Sequence, residues 1–523
     1  MITLLDYGAG NVRSVINAIE SLGEQVHLVK TENDILSAEK LVFPGVGAFG
    51  NMMKILHRKN FIAPLLDYLK ADRPFLGICL GLQALFEKSE EASDMPGLGF
   101  IPGEVQRFST DLSVPHIGWN GLNIQQPSRL FAGLRGNEKF YFVHSYHVKP
   151  TTDATVLTTT DYGYGFVSAI QKGDVTATQF HPEKSGKSGL RILENFLRKE
   201  GKMAMPPEIS SQTCLAKRII ACLDVRTNDR GDLVVTKGDR YDVRENGDVR
   251  NLGKPVDLAR RYYQEGADEI TFLNITGFRD FPLEDMPMLD VLRQTSKNVF
   301  VPLTIGGGIR DYTDKDGRTY TALEVAAKYF RSGADKISIG SDAVLVVEAH
   351  LKTGLKTGRS AIEEIARVYG NQAVVISIDP RRVYVENPED VQHRVIKTDI
   401  PGPNGESYCW YQCTIKGGRE GRDLDAVTLA QVCETLGAGE ILLNCIDRDG
   451  TSRGFDLELI NAVKEAVSIP VIASSGAGCP EHFLEVFKKT DAESALAAGI
   501  FHRKEVPIGQ VKSELKSEVE IRV

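Results

Sequence analysis

A chain of 523 residues is too long for one ordinary domain, and its 42% hydrophobic and 25% charged residues supply enough apolar material for more than one core. The formal net charge of −8 excludes the broadly basic surface on which nonspecific nucleic-acid binding depends. No apolar run reaches the roughly 18 residues of a membrane span, "MITLLDYGAG" meets Asp6 and two glycines too early for a secretory signal, and eight cysteines without paired spacing suit reduced thiols, so a cytoplasmic protein without membrane or nucleic-acid partners is expected.

In chain order, "MITLLDY", "KLVFPG", "PFLGICL" and "ATQFHPE" read as strands ending in turns, with helical patterns between them, and "SGLRILENFLRKE" predicts a closing helix. That alternation predicts an α/β domain over 1–200. The stretch "GKMAMPPEISSQ" (201–212) has two prolines and no periodicity, and reads as a linker. Over 213–523, eight strand-like segments begin near Arg218, Glu269, Val299, Asp335, Ala373, Glu440, Ile469 and Ser494. Helical patterns such as "PVDLARRYYQEGAD" separate them, which predicts a (β/α)8 (TIM) barrel. Long gaps at 342–372 and 380–439 predict insertions, "RDYTDKDGRTY" a surface loop, and "CWYQC" has the wrong spacing for a redox pair. The barrel also repeats itself: "VPLTIGGGIR" is echoed by "IPVIASSGAG", and "IIACLD" by "VVISID".

In "FLGICLGLQ", Cys79 stands where a strand turns into a predicted helix, "LQALFEKSEE", with Gly77 and Gly81 on either side. Glycines at that spacing permit a sharp elbow, and a helix start favours a thiolate. An isolated cysteine there would be most simply a packed core thiol. "QFHPEKS" adds His181 and Glu183 at another strand end, a base and its orienting carboxylate. "FPGVGAFG" adds a glycine loop after a strand, where the amides of Gly45, Val46 and Gly47 are placed to form an oxyanion site.

These three motifs resemble the signatures of class I (triad-type) glutamine amidotransferases over residues 1 to about 200, and "PHIGWN" and "YFVHSYHV" are similar to the glutaminase of histidine biosynthesis. The resemblance implies attack on the glutamine side-chain amide, a glutamyl thioester and release of ammonia. His116, His144 and His147 are given structural or interface roles.

In the barrel, Asp224 ends "IIACLD" and Asp379 ends "VVISID", a symmetric carboxylate pair suited to general acid and base work. Gly307 and Gly308 follow strand three and Gly340 and Ser341 strand four; Ser474, Ser475 and Gly476 follow strand seven and Ala498 and Gly499 strand eight. Such loops bind phosphate through backbone amides, and their duplication predicts a substrate with a phosphate at each end. The segments "KRIIACLDV", "LTIGGGIR", "LLNCIDRDGTSRGFD", "IASSGAG" and "LAAGIFH" resemble the cyclase of imidazole glycerol phosphate synthases, here fused behind a glutaminase as in the bifunctional form of fungi and plants. The resemblance implies that ammonia and phosphoribulosyl-formimino-aminoimidazole-carboxamide ribotide give imidazole glycerol phosphate and aminoimidazole carboxamide ribotide, on a monomer without metal or cofactor.

By the same resemblance Lys237 contacts substrate, and Asp449 and Gly450 hold phosphate and nearby groups. Ser475 stands where a second glycine is common and Asn274 where relatives often carry Asp. Arg218, Glu269, Lys336 and Glu440 fall at strand starts, opposite Asp224. They read either as solvated surface charges or, by resemblance, as a charged ring at the entrance for ammonia. Two rival readings are the related sugar-phosphate isomerase of the same pathway, which needs no ammonia, and a silent ribotide-binding scaffold, which needs no Cys79.

Overall fold

The computed structural model describes residues 1–523 except 9, 199–202, 208–211, 229–231, 237–243, 246–247, 250, 276–282 and 284–285. The N-terminal unit is built on an eleven-stranded mixed sheet. Its centre is three parallel strands, β1 (Leu41–Gly45), β2 (Phe75–Cys79) and β3 (Val175–Thr178), with β2 paired between the other two. Every residue of the three is buried, so "KLVFPG" and "PFLGIC" show apolar runs in place of alternation. The helix α2 (Gly186–Leu197) closes the unit as expected.

One expected helix is much shorter. After Cys79 the helix α1 (Leu80–Gln83) lasts a single turn, where "LQALFEKSEE" predicts about three. The carbonyls of Ala84, Leu85 and Phe86 accept from the amides of Leu98, Ile101 and Gly99, so they are unavailable to continue the helical ladder.

The second unit is a closed barrel of eight parallel strands: β4 (Arg218–Thr227), β5 (Glu269–Asn274), β6 (Leu303–Gly306), β7 (Lys336–Ile339), β8 (Val374–Ile378), β9 (Glu440–Asn444), β10 (Val471–Ser474) and β11 (Ser494–Ala497). Parallel pairing of β11 with β4 closes it. Two strands start later than the sequence predicts. Pro302 and Pro470 lack an N–H for the ladder, so β6 starts at Leu303 and not near Val299, and β10 at Val471 and not near Ile469. The two-residue period sends Ile220, Cys222, Val375, Leu442, Ile472 and Leu496 into one apolar cluster filling the lumen.

The gap at 342–372 is occupied by α3 (Ser341–Thr353) and α4 (Ala361–Tyr369). The gap at 380–439 holds a small antiparallel sheet built on Pro380–Val385, Tyr408–Ile415 and Glu420–Asp425, followed by a helix over Ala426–Leu436. The polar stretch "RDYTDKDGRTY" is a short hairpin, Tyr312–Thr313 paired with Thr319–Tyr320. Among the described residues, no helix is long and apolar enough to cross a membrane.

The N-terminal unit sits on the end of the barrel where strands begin. Asn11 donates to Gly333 O (3.0 Å) and Asp335 Oδ1 (2.7 Å), and Trp119 Nε1 to Asp268 O (3.1 Å). Lys184 Nζ pairs with Asp335 Oδ2 at 2.6 Å, and both oxygens of Asp6 accept from Arg331 at 2.9 and 2.7 Å. The chain between the units runs along the first: Ala204 pairs with Ser128, Thr213 N donates to Asp161 Oδ2, and Ala216 N to Trp119 O.

Candidate active sites

Cys79 is the last residue of β2 and the cap of α1, with φ +53° and ψ −102°, a conformation that side-chain-bearing residues rarely hold. The flanking glycines are explained by contact. A Cβ on Gly81 would stand 2.1 Å from Phe43 O, and one on Gly77 2.6 Å from Gly81 O, so only bare backbone lets the elbow cross β1. The turn presents a sulfur on strained backbone at a strand end.

His181 Nδ1 lies 2.8 Å from Glu183 Oε1, both side chains buried. Burial works against an imidazolium there, yet the charges of Glu183 and the Cys79 sulfur, with their hydrogen bonds, together hold the His181 pKa well above its ordinary value. Gly45 is in register with Cys79, and Tyr7 Oη donates to Val46 O (2.7 Å), which fixes one side of the loop 45–47.

The cavity at Cys79 belongs to both units. Val46, Gly47 and His181 line it from one side, and Asp335, Lys336, Tyr369 and Gln372 from the other. Below it Arg218, Glu269, Lys336 and Glu440 form a ring: Arg218 Nη1 is 2.8 Å from Glu269, Lys336 Nζ is 2.7 Å from Glu269 and 2.6 Å from Glu440, and Arg218 Nη2 also bonds Glu440. These side chains are 0–1% exposed, so the solvated-charge reading is corrected. The N-terminal unit covers them, which residues 213–523 alone could not reveal. The buried hydroxyl of Tyr141, in the same cavity as Lys336, makes no hydrogen bond among the described residues.

At the opposite end of the lumen, Asp224 and Asp379 line one cavity with Cys222, Leu273, Asn444 and Leu496. Asn444 Nδ2 donates to Asp379 Oδ1 (2.9 Å) and Ser377 Oγ (3.0 Å), so the carboxylate is aimed from the neighbouring strand. An adjoining cavity of ≈ 340 Å³ gathers Asp449, Gly450, Ser474, Ser475, Gly476, Ala498 and Gly499 beside Asp224. Ser475 has φ +73°, in the left-handed region that favours glycine, so this position admits serine at a conformational cost. Gly307, Gly308, Gly340 and Ser341 follow strands three and four, across the mouth from strands seven and eight. A Cβ on Gly307 would stand 2.2 Å from Asn274 O, and Ser341 Oγ accepts from Lys416 N (3.0 Å). Lys237 lies outside the described residues.

The class I glutamine amidotransferase family model matches residues 3–200, and that of the histidine biosynthesis protein family residues 218–507. The chain is 61% identical over 531 residues to the chloroplastic imidazole glycerol phosphate synthase hisHF of Arabidopsis thaliana, spanning 100% of this chain and 90% of that protein. It is 56% identical over 532 residues to imidazole glycerol phosphate synthase hisHF of Schizosaccharomyces pombe, spanning 98% of each. The chain belongs to the imidazole glycerol phosphate synthase family. It joins a class I glutamine amidotransferase unit to a histidine-biosynthesis barrel in one polypeptide. The barrel has separate counterparts: the synthase subunit HisF of Methanosphaera stadtmanae is 44% identical over 311 residues, 59% of this chain and 100% of its own length.

Several residues of this synthase chain's sites escape the motif reading. Glu91 lines the Cys79 cavity; burial pushes its pKa up to about 7, while the amide of Phe49 (3.0 Å) pulls the other way. It sits in a segment read as helix, where an acidic residue looks like solvated surface. Gly417 and Gly418 of "KGGR" reach the Asp379 cavity from the small inserted sheet, which no local pattern signals. His116 and His144 are 3.2 Å apart in an aromatic cluster with Phe108, Tyr162 and Phe166, and burial keeps both pKa values low.

Proposed function

We propose that the chain makes imidazole glycerol phosphate in two linked steps, using Cys79 at one end of the barrel and the Asp224–Asp379 pair at the other. In the first, Cys79 Sγ attacks the side-chain carbonyl carbon of glutamine. His181 accepts the thiol proton and returns it to the departing nitrogen, and Glu183 holds the imidazole in the tautomer this requires. Amides of the loop Gly45, Val46 and Gly47 receive the oxyanion, and water then releases glutamate from the thioester. Glu91, when ionised, pairs with the substrate's α-ammonium.

In the second step, ammonia passes the ring of Arg218, Glu269, Lys336 and Glu440, travels the apolar lumen and meets the ribotide. Asp224 and Asp379 trade protons as it closes the imidazole ring. One phosphate is held by Ser474, Ser475, Gly476, Ala498 and Gly499 with Asp449 and Gly450, the other by Gly307, Gly308, Gly340 and Ser341; the family resemblance makes Lys237 a further substrate contact. The carrying observation is the cavity that has Cys79 in one wall and Lys336 of the ring in another. Both sites on one chain support a monomer that takes L-glutamine and a bisphosphorylated ribotide, and eight free cysteines support a reducing compartment such as the cytoplasm.

The division of labour is tested by Cys79→Ala, expected to abolish glutamine-driven product while ammonium salts still support cyclisation. Asp224→Asn is expected to stop cyclisation from either nitrogen source. Loss of both nitrogen sources in Cys79→Ala, or normal turnover in Asp224→Asn, would sink the assignment.

A further inference from the structure

The sulfur of Cys79 has a polar neighbour that the triad does not use. Gln179 precedes His181 by two residues, the period that places alternate side chains of an extended chain on one face. Its side chain is fully buried, its backbone N–H is held by Ser168 O at 2.8 Å, and its Nε2 lies 3.3 Å from Cys79 Sγ.

Which end of the Gln179 amide faces the sulfur is fixed by its surroundings. The carbonyl of Tyr146 can only accept, and it takes bonds from His144 Nδ1 (2.7 Å) and Gln83 Nε2 (3.0 Å). That sets Gln83 with its NH2 toward Tyr146, and the same NH2 donates to Gln179 Oε1 at 3.2 Å. With Oε1 committed as an acceptor, Gln179 must turn its NH2 to the sulfur. Reversing either amide would set donor against donor or acceptor against acceptor.

We propose that Gln179 is a further catalytic residue of the glutaminase half-reaction: its side-chain N–H hydrogen-bonds the Cys79 thiolate that forms when the thiol proton moves to His181. A donor aimed at sulfur favours the charged form over the thiol, because a hydrogen bond to an ionised acceptor is roughly twice as strong as one to a neutral group. The sulfur is thereby held by two partners, one that takes its proton and one that stabilises the charge left behind. This rests on Cys79 being the nucleophile, as proposed above.

The test is the pH profile of Cys79 alkylation by iodoacetamide in the full-length chain, read on the peptide containing Cys79 because Cys214 is exposed and also reacts. In Gln179→Met the midpoint is expected to move upward by about one pH unit, with alkylation near pH 7 slowed up to roughly tenfold and recovered at alkaline pH. Glutaminase kcat/KM is expected to follow the same displacement. An unchanged far-UV circular dichroism spectrum and thermal-unfolding profile of the full-length chain show that the variant is folded; where Gln179→Met fails that check, Gln179→Asn, which withdraws the amide by one methylene, is read in its place. A midpoint that stays put in a folded variant, whether the rate is unchanged or uniformly lower, overturns the role of Gln179. Failure of Cys79→Ala to lose glutamine use would instead overturn the nucleophile on which it rests.

Discussion

The backbone amide of Ala48 donates to the carbonyl of Val368, 3.2 Å away, and so ties the glycine loop beside Cys79 to α4 of the barrel unit. Gly47 lies in that contact with φ +134°, and a Cβ there would stand 3.0 Å from the same carbonyl. Gly47→Ala is therefore expected to strain the loop and push it off α4. Glutamine-driven turnover should fall by about 10²-fold, the loss typical of a misplaced oxyanion donor, with ammonium-driven turnover intact. Parallel assays with the two nitrogen sources check this; equal loss in both would mean the substitution damages the fold and not the loop.

Lys336 is the link that joins both glutamates of the ring while lining the Cys79 cavity. Replacing it with alanine leaves the two buried carboxylates to Arg218 and, at Glu269, the Thr304 hydroxyl. A stability loss of about 3–5 kcal/mol in denaturant unfolding is expected. The ratio of glutamate released to imidazole product should rise above one. A ratio that stayed at one would remove Lys336 from the route of ammonia.

Glu91 supplies a pH dependence with a definite sign. Burial raises its pKa to about 7, so it is ionised above that pH and neutral below. Because the neutral acid cannot pair with the substrate's ammonium, KM for glutamine should rise several-fold as pH falls from 8 to 6. Glu91→Gln should show the high KM throughout that range. Steady-state glutaminase kinetics across pH measure it, and a KM that is flat in the unmodified chain would count against the pairing.

Asn444 aims Asp379 through a 2.9 Å hydrogen bond. Asn444→Leu keeps much of the volume and removes the donor, so cyclisation should slow by up to about 10²-fold with glutamine and ammonium alike. A loss confined to glutamine would place Asn444 on the ammonia route and not beside the base.

Much of this architecture can be read from short contiguous signals. Cys79, His181 and Glu183 stand in compact motifs whose glycines and strand ends announce a turn, and the eight barrel strands follow buried apolar runs that need no partner to be recognised. What escaped was assembled from a distance. Tyr141 and Glu91 reach the Cys79 cavity and Gln179 the Cys79 sulfur from three separate segments, and their chemistry depends on burial that local sequence does not encode. The charges at the strand starts were ambiguous for the same reason, since local sequence does not show that Arg218 and Glu440 are buried and paired. The prolines at 302 and 470 were visible, but their effect on strand onset shows only once the ladder partners are known.

Because Tyr369 and Gln372 of the barrel unit supply part of the wall around Cys79, the first unit does not enclose its own reaction chamber. A chimaera that grafted it onto a foreign barrel would inherit a reactive elbow with one side open to bulk water. The halves are thus bound to diverge in step, and a compensating change at the end of α4 is where an evolutionary trace of that dependence should be sought.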